Sequence, residues 1–172
     1  MLLFAHLGLT LASARLVSGA AWGYLLLGSM LPDIIDKPLG ELLFGTPAMG
    51  RTISHTLIFV LILLAAAYYR HDQRMASIGG GILCHLALDS MWNSPITLLW
   101  PLLGAFPRAP DLSTMDFLMA LLKGLSDPMV VGPEILGLAY LICFALSRQA
   151  DLCSQVRRAL KRTPLPVPEI RQ

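Results

Sequence analysis

The sequence predicts an all-α fold: an integral membrane helical bundle of about five membrane helices, with additional short amphipathic or re-entrant helices. Three observations predict it. Hydrophobic residues make up 55% of the chain and charged residues only 14%, with a mean hydropathy of +0.65, whereas soluble domains carry about 25% charged residues. Apolar runs recur along the whole chain, punctuated by Gly, Pro and Arg. Basic residues gather in alternate gaps between those runs, as they do in membrane proteins.

The first run spans Leu2 to Ala14, and Arg15 with Ser18-Gly19 marks a turn. The second runs from Ala20 to Leu31 and is read as stopping at Pro32. A loop is expected next, rich in Pro and Gly: Pro38, Gly40, Gly45, Pro47 and Gly50. The third run extends from Ile53 to Tyr69 and ends at Arg70-His-Asp-Gln-Arg74. The fourth covers Ala76 to Trp92. A broken region from Asn93 to Pro133 follows, in which Ser113-Thr114-Met115-Asp116 opens a short amphipathic helix to about Leu125. The last run is Glu134 to Leu146. Several runs fall short of the roughly 20 apolar residues of a straight span, which implies a compact bundle with a polar cavity reaching into the bilayer, or helices with one end below the interface. The expected division is a membrane-embedded domain over 1–148 and a basic, Pro-containing cytoplasmic tail over 149–172, disordered around Pro164, Pro166 and Pro168.

Met1-Leu-Leu-Phe-Ala-His6 lacks a positive leader region and a cleavage site, so the first helix is expected to be retained. The cysteines Cys84, Cys143 and Cys153 are odd in number and form no C-x-x-C pair, so they read as small apolar residues. A net charge of +2 gives no global attraction for nucleic acid, and no nucleic-acid partner is expected.

With the N-terminus outside and alternating crossings, nine of the 13 basic residues fall inside: Arg15, Arg70, Arg74, Arg148, Arg157, Arg158, Lys161, Arg162 and Arg171. Lys37, Arg51, Arg108 and Lys123 fall outside, with eight of the 11 acidic residues: Asp33, Asp36, Glu41, Asp89, Asp111, Asp116, Asp127 and Glu134. This is the positive-inside pattern. It predicts an inner (cytoplasmic) membrane protein with its C-terminus in the cytoplasm.

An ionisable group inside apolar sequence is costly and marks a functional candidate. Asp33 and Asp36 follow the second run, His55 begins the third, and His85 and Asp89 lie in the outer half of the fourth. Under the topology above all five share one depth, and His6 joins them if the first helix starts at that face. His85 and Asp89 are four apart and project from one helical face. Alone, such a pair is as readily a His–Asp hydrogen bond between helices as a cation site. With His6, Asp33 and His55 it becomes a candidate centre for a divalent metal, most naturally Zn²⁺, with Mn²⁺ or Fe also suited to imidazole and carboxylate, as one or more ions. Asp36 is open to three roles at such a centre, as second-metal ligand, general base, or orienting group for a ligand histidine; otherwise it is a helix-terminal cap. Arg51, four residues before His55, suits a substrate phosphate or carboxylate, or is an interfacial arginine. Trp92 and Trp100 fit an aromatic belt or a wall of the site, Asn93 lies one turn beyond Asp89, and His71 reads as solvated in the basic loop.

The segments Gly28-Ser-Met-Leu-Pro-Asp-Ile-Ile-Asp-Lys-Pro38, Arg51-Thr-Ile-Ser-His-Thr56 and His85-Leu-Ala-Leu-Asp89, followed by Leu99-Trp100-Pro101, resemble the membrane-bound metal-dependent hydrolases. That family is distantly similar to the zinc-dependent phospholipase C and single-strand nuclease enzymes. The resemblance runs from His6 to about Gly104. It implies that His6, Asp33, His55, His85 and Asp89 are metal ligands, with Asp36 and Arg51 in catalytic roles. It also implies phosphoester hydrolysis by a metal-bound hydroxide. The membrane setting then points to a phospholipid or lipid-linked phosphate as substrate. The chain departs from the pattern at Gly50, where many members have a histidine, and at Asp33-Ile-Ile-Asp36-Lys37, where many read D-x-D-H; both departures remove ligands. Two other readings compete: a non-enzymatic metal or ion carrier, and a structural cluster that holds helices together. No internal repeat of the kind many transporters show is evident.

Overall fold

Local capping signals set several of the helix ends in the computed structural model, which describes residues 3–16, 19–45, 49–107 and 113–162. The elements in order are α1 (Leu3–Ser13), α2 (Trp22–Phe44), α3 (Leu57–Arg70), α4 (Gln73–Leu88), the single turn α5 (Pro95–Leu98), α6 (Thr114–Gly124) and α7 (Pro128–Arg162). No strand occurs among the described residues, so the fold is all-α. Thr56 caps α3 by accepting from the Phe59 amide. Asp72 caps α4 by accepting from Arg74 and Met75. Ser113 caps α6 by accepting from Asp116. Gly45, at φ 70°, ends α2 in the left-handed conformation that glycine adopts without strain.

Two expectations are corrected. The second helix does not stop at Pro32, and no loop follows it there: α2 continues through both Pro32 and Pro38 to Phe44. Likewise α7 begins at Pro128 and passes through Pro133. A proline removes one intrahelical hydrogen bond, but ending a helix in apolar surroundings strands several backbone groups without water, so continuing costs less. Asp33 and Asp36 therefore sit inside a helix rather than past its end. The helix α7 also continues beyond position 148 to Arg162. Ser18, Pro47, Arg108, Pro110, Asp111, Pro164, Pro166, Pro168 and Arg171 lie outside the described residues.

α2 packs along α4, α1 along α7, and α3 against α4. The α2–α4 crossing is close because it is made of glycine. A Cβ at Gly81 would stand 2.1 Å from the Leu25 carbonyl oxygen, and one at Gly28 would stand 2.1 Å from that of Ile78. Gly8 and Gly137 do the same for α1 and α7. Val60, Ile82, Leu86 and Met91 form a small buried apolar cluster. The interior is otherwise rich in polar side chains, with His6, Ser29, Asp36, Thr52, Ser54, His55, Thr56 and His85 all at most 1% exposed. The exterior is apolar: Leu42, Tyr68, Tyr69, Leu102 and Met129 are each at least 80% exposed. That inversion suits a lipid surround. Among the described residues one helix is long and apolar enough to cross a membrane, the 23 residues Pro128–Ala150 of α7; Leu3–Ser13 and Leu57–Arg70 are shorter apolar helices.

Candidate metal centre

The residues singled out from sequence converge at one end of the bundle. α2 supplies them on successive turns. Pro32, Asp36 and Gly40 share a buried face, and the segment from Met49 to His55 lies over it. Gly40 permits this, because a Cβ there would stand 2.1 Å from the Met49 carbonyl oxygen. The backbone amides of Thr52, Ser54 and His55 then all donate to the Asp36 carboxylate, at 2.7, 3.1 and 3.2 Å. The His55 ring meets the same carboxylate, Nδ1 to Oδ2 at 2.7 Å. A carboxylate is acceptor-only, so Nδ1 carries the proton and Nε2 is left with its lone pair. Of the three roles open to Asp36, this geometry matches the orienting one, the carboxylate–histidine arrangement found behind metal ligands.

His85 is oriented by a different device. Four residues before it, Gly81 lets α2 approach until the Ser29 carbonyl oxygen lies 2.6 Å from His85 Nδ1. A carbonyl only accepts, so this Nδ1 is also a donor and its Nε2 is also a lone pair. With both rings neutral, the two lone pairs face each other, Nε2 to Nε2 at 3.1 Å. Both rings are fully buried. Such an arrangement could hold a cation between the nitrogens. Two nitrogens bound tetrahedrally to one zinc at about 2.0–2.1 Å stand roughly 3.3 Å apart, so the spacing fits. Asp33 Oδ1 lies 4.0 Å from His55 Nε2, within the reach of two ligand bonds of about 2.0–2.2 Å to a shared ion.

On the other side of His85, the His6 ring lies with its centroid 4.3 Å away, and its Nε2 is 3.3 Å from Asp89 Oδ1. Asp89 ends α4, donating its amide to the His85 carbonyl at 2.9 Å, so the one-turn relation read from sequence holds. Arg51 Nη2 meets Asp89 Oδ2 at 2.8 Å, with the arginine side chain 45% exposed and the aspartate 6%. Lys37 pairs with Asp33 Oδ2 at 2.8 Å, on a more exposed flank.

Five of the residues therefore fall into two overlapping groups, His6–His85–Asp89 and Asp33–His55–His85, whose ligand atoms lie within 4.8 Å of one another in each group. Asp36 belongs to neither. Trp92 is exposed and Trp100 stacks on Phe106, centroids 5.0 Å apart. His71 is exposed and ends α3. Its neighbourhood is the opposite end of the bundle, where Arg74 lies over the Tyr24 ring, Arg15 over Tyr140 and Arg148 over Trp22.

Sequence reading misses four contributors. The Ser29 carbonyl and the Thr52 and Ser54 amides are backbone groups with no residue signature. Glu134 was sorted only as an outer acid, yet its carboxylate accepts from the Phe4 and Ala5 amides at 2.9 and 3.2 Å and fixes the start of the helix that carries His6. Its signal was its isolation: it is the one carboxylate in the apolar stretch from Pro128 to Ala150.

Residues 1–155 match a family model described as YdjM inner membrane protein. No curated protein and no solved structure matches the chain.

Proposed function

The chain belongs to the YdjM inner membrane protein family, and on that premise we propose that it is a membrane-embedded, metal-dependent hydrolase of phosphate esters. The observation that carries this reading is the pair of buried Nε2 atoms facing each other at 3.1 Å, both Nδ1 atoms being committed as donors. A divalent ion there supplies an activated water and an electrophile for a phosphoryl oxygen. The chain's own groups do the rest. Asp36 and the Ser29 carbonyl fix the ring orientations, and Arg51 offers a planar fork to an anionic oxygen at the mouth. In the reaction the water oxygen bonds to phosphorus, the phosphorus–oxygen bond to the alcohol breaks, and the alcohol leaves with a proton.

The apolar exterior supports a bundle in which α1 to α4 and α7 sit in the bilayer, with a phospholipid or lipid-linked phosphate as substrate. The basic end, ringed by Arg15, Arg70, Arg74 and Arg148, is assigned to the cytoplasm and the site to the outer face. The test is elemental analysis of the purified protein beside His55→Ala, with hydrolysis of a generic phosphodiester. Bound Zn, Mn or Fe in wild type, lost in His55→Ala, together with turnover, supports the reading. Metal without turnover but with metal-dependent flux in proteoliposomes would transfer it to a carrier.

A further inference from the structure

The end of the bundle away from the metal centre carries a second array of charge. Arg148 lies about 30 Å from Pro128 along α7, close to the thickness of a hydrocarbon layer, and just before the end of the apolar span Pro128–Ala150. Tyr140, Phe144 and Arg148 follow one another at single-turn spacing on that helix. Arg148 lies 5.5 Å from the Phe144 ring centroid and 5.9 Å from that of Trp22, the first residue of α2. The two rings meet edge to face, with centroids 6.5 Å apart. Arg15, just past the end of α1, lies 5.6 Å from the Tyr140 centroid. Three helices thus bring two guanidinium groups to one aromatic-floored surface. Both arginines are exposed, and neither pairs with a carboxylate of a described residue.

A guanidinium held over a ring is oriented by it, while the N–H groups, which lie in the guanidinium plane, stay free at the edge. Such a planar fork matches phosphoryl oxygens. Basic pockets between membrane helices on the cytoplasmic side bind anionic head groups in this way. We propose that the junction of α1, α2 and α7 is a seat for an anionic phospholipid of the inner leaflet. Arg15 and Arg148 take the phosphate, and Trp22 and Phe144 lie against the glycerol and the first acyl carbons. The seat is at the opposite end from the metal centre and does not depend on it. The other two arginines of this end differ. Arg74 lies over Tyr24, 5.7 Å from its centroid, and Asp72 accepts from its amide. Arg70 is exposed and has no ring contact among the described residues. It adds to the general positive potential without shaping a site. An arginine that only braced helices against each other would do so equally in any lipid, so dependence on head-group charge separates the two roles.

The experiment reconstitutes the purified full chain in phosphatidylcholine nanodiscs, adds phosphatidylglycerol in steps, and counts the lipids retained on the chain by native mass spectrometry. Wild type is expected to retain phosphatidylglycerol in preference to phosphatidylcholine. Arg148→Gln and Arg15→Gln are each expected to weaken that retention roughly tenfold or more, as loss of hydrogen bonds to a charged group does. Arg70→Gln removes the same charge from the same end and is expected to weaken it about fivefold or less. Arg148→Lys keeps the charge without the planar fork and is expected to fall between wild type and Arg148→Gln. Circular dichroism and monodisperse elution identify the variants that have folded. Equal retention of the two lipids by wild type would overturn the seat. So would a loss in Arg148→Gln no larger than in Arg70→Gln, or Arg148→Lys binding as wild type does, since either reduces the effect to net charge. Displacement of the lipid by inorganic phosphate would also overturn it, by making the surface a site for free anions.

Discussion

The Nε2 atoms of His55 and His85 stand 3.1 Å apart, while the two rings are held from behind by different kinds of acceptor, the Asp36 carboxylate at 2.7 Å and the Ser29 carbonyl at 2.6 Å. Neither ring can rotate its lone pair away without leaving a buried donor unsatisfied, which costs about 1–3 kcal/mol. The centre is therefore set before any ligand arrives.

Asp36→Asn tests the bracing of His55. Asparagine matches the shape but replaces one acceptor oxygen with a donor, where three amides and a ring N–H already point inward. The expected loss is roughly 2–4 kcal/mol of stability and about 10–100-fold in metal affinity. Thermal unfolding in detergent and Zn²⁺ titration measure the two. An affinity equal to wild type would remove the orienting role.

Gly81→Ala tests the helix crossing. Its added methyl meets backbone, the Leu25 carbonyl and the Ser29 amide, whereas a Cβ at the adjacent Gly80 approaches only the Leu25 side chain, at 3.9 Å. Gly81→Ala is expected to cost about 1–3 kcal/mol through overpacking and to weaken metal binding by separating Ser29 from His85. Gly80→Ala serves as the near-neutral control. Equal melting temperatures for the two variants would contradict the close crossing.

Glu134→Ala tests the anchor between α7 and α1. Removing the carboxylate frees the Phe4 and Ala5 amides, an N-terminal capping loss of about 1 kcal/mol. Hydrogen exchange over residues 3–8 should accelerate, while that over α3 and α4 stays at the wild-type rate.

Orientation is testable with single thiols in a chain lacking its native cysteines. Leu102→Cys, at an exposed position beyond Asp89, should label from outside intact spheroplasts with a membrane-impermeant maleimide. Arg148→Cys, at the end with Arg74 and Trp22, should label only after lysis. The reverse pattern would invert the bundle.

Much of this arrangement was legible in the sequence. The i, i+4 relation of His85 and Asp89 survives because the helix carries through to the Asp89 amide. Asp33, His55 and His6 were found because ionisable groups in apolar sequence have so few physical excuses. What was not legible has one cause: backbone groups are anonymous. The Ser29 carbonyl and the amides around Asp36 cannot be told in sequence from any others, and the close approaches that recruit them depend on glycines at 28, 40 and 81 whose partners lie far along the chain. Proline misled for a related reason. The rule that it ends helices assumes water ready to receive the freed carbonyls, and much of the outward side of α2 is apolar, with Ile34, Leu42 and Leu43 exposed beside Lys37 and Glu41.

The contrast between the two histidine supports bears on how this protein can drift. His55 depends on a side chain, so any substitution at position 36 reaches it directly. His85 depends on a main-chain oxygen, which every amino acid at position 29 supplies. Position 29 can therefore vary wherever the crossing still has room, and His85 keeps its aim. One half of the centre is thus exposed to mutation at its support, while the other is shielded by the invariance of the peptide unit itself.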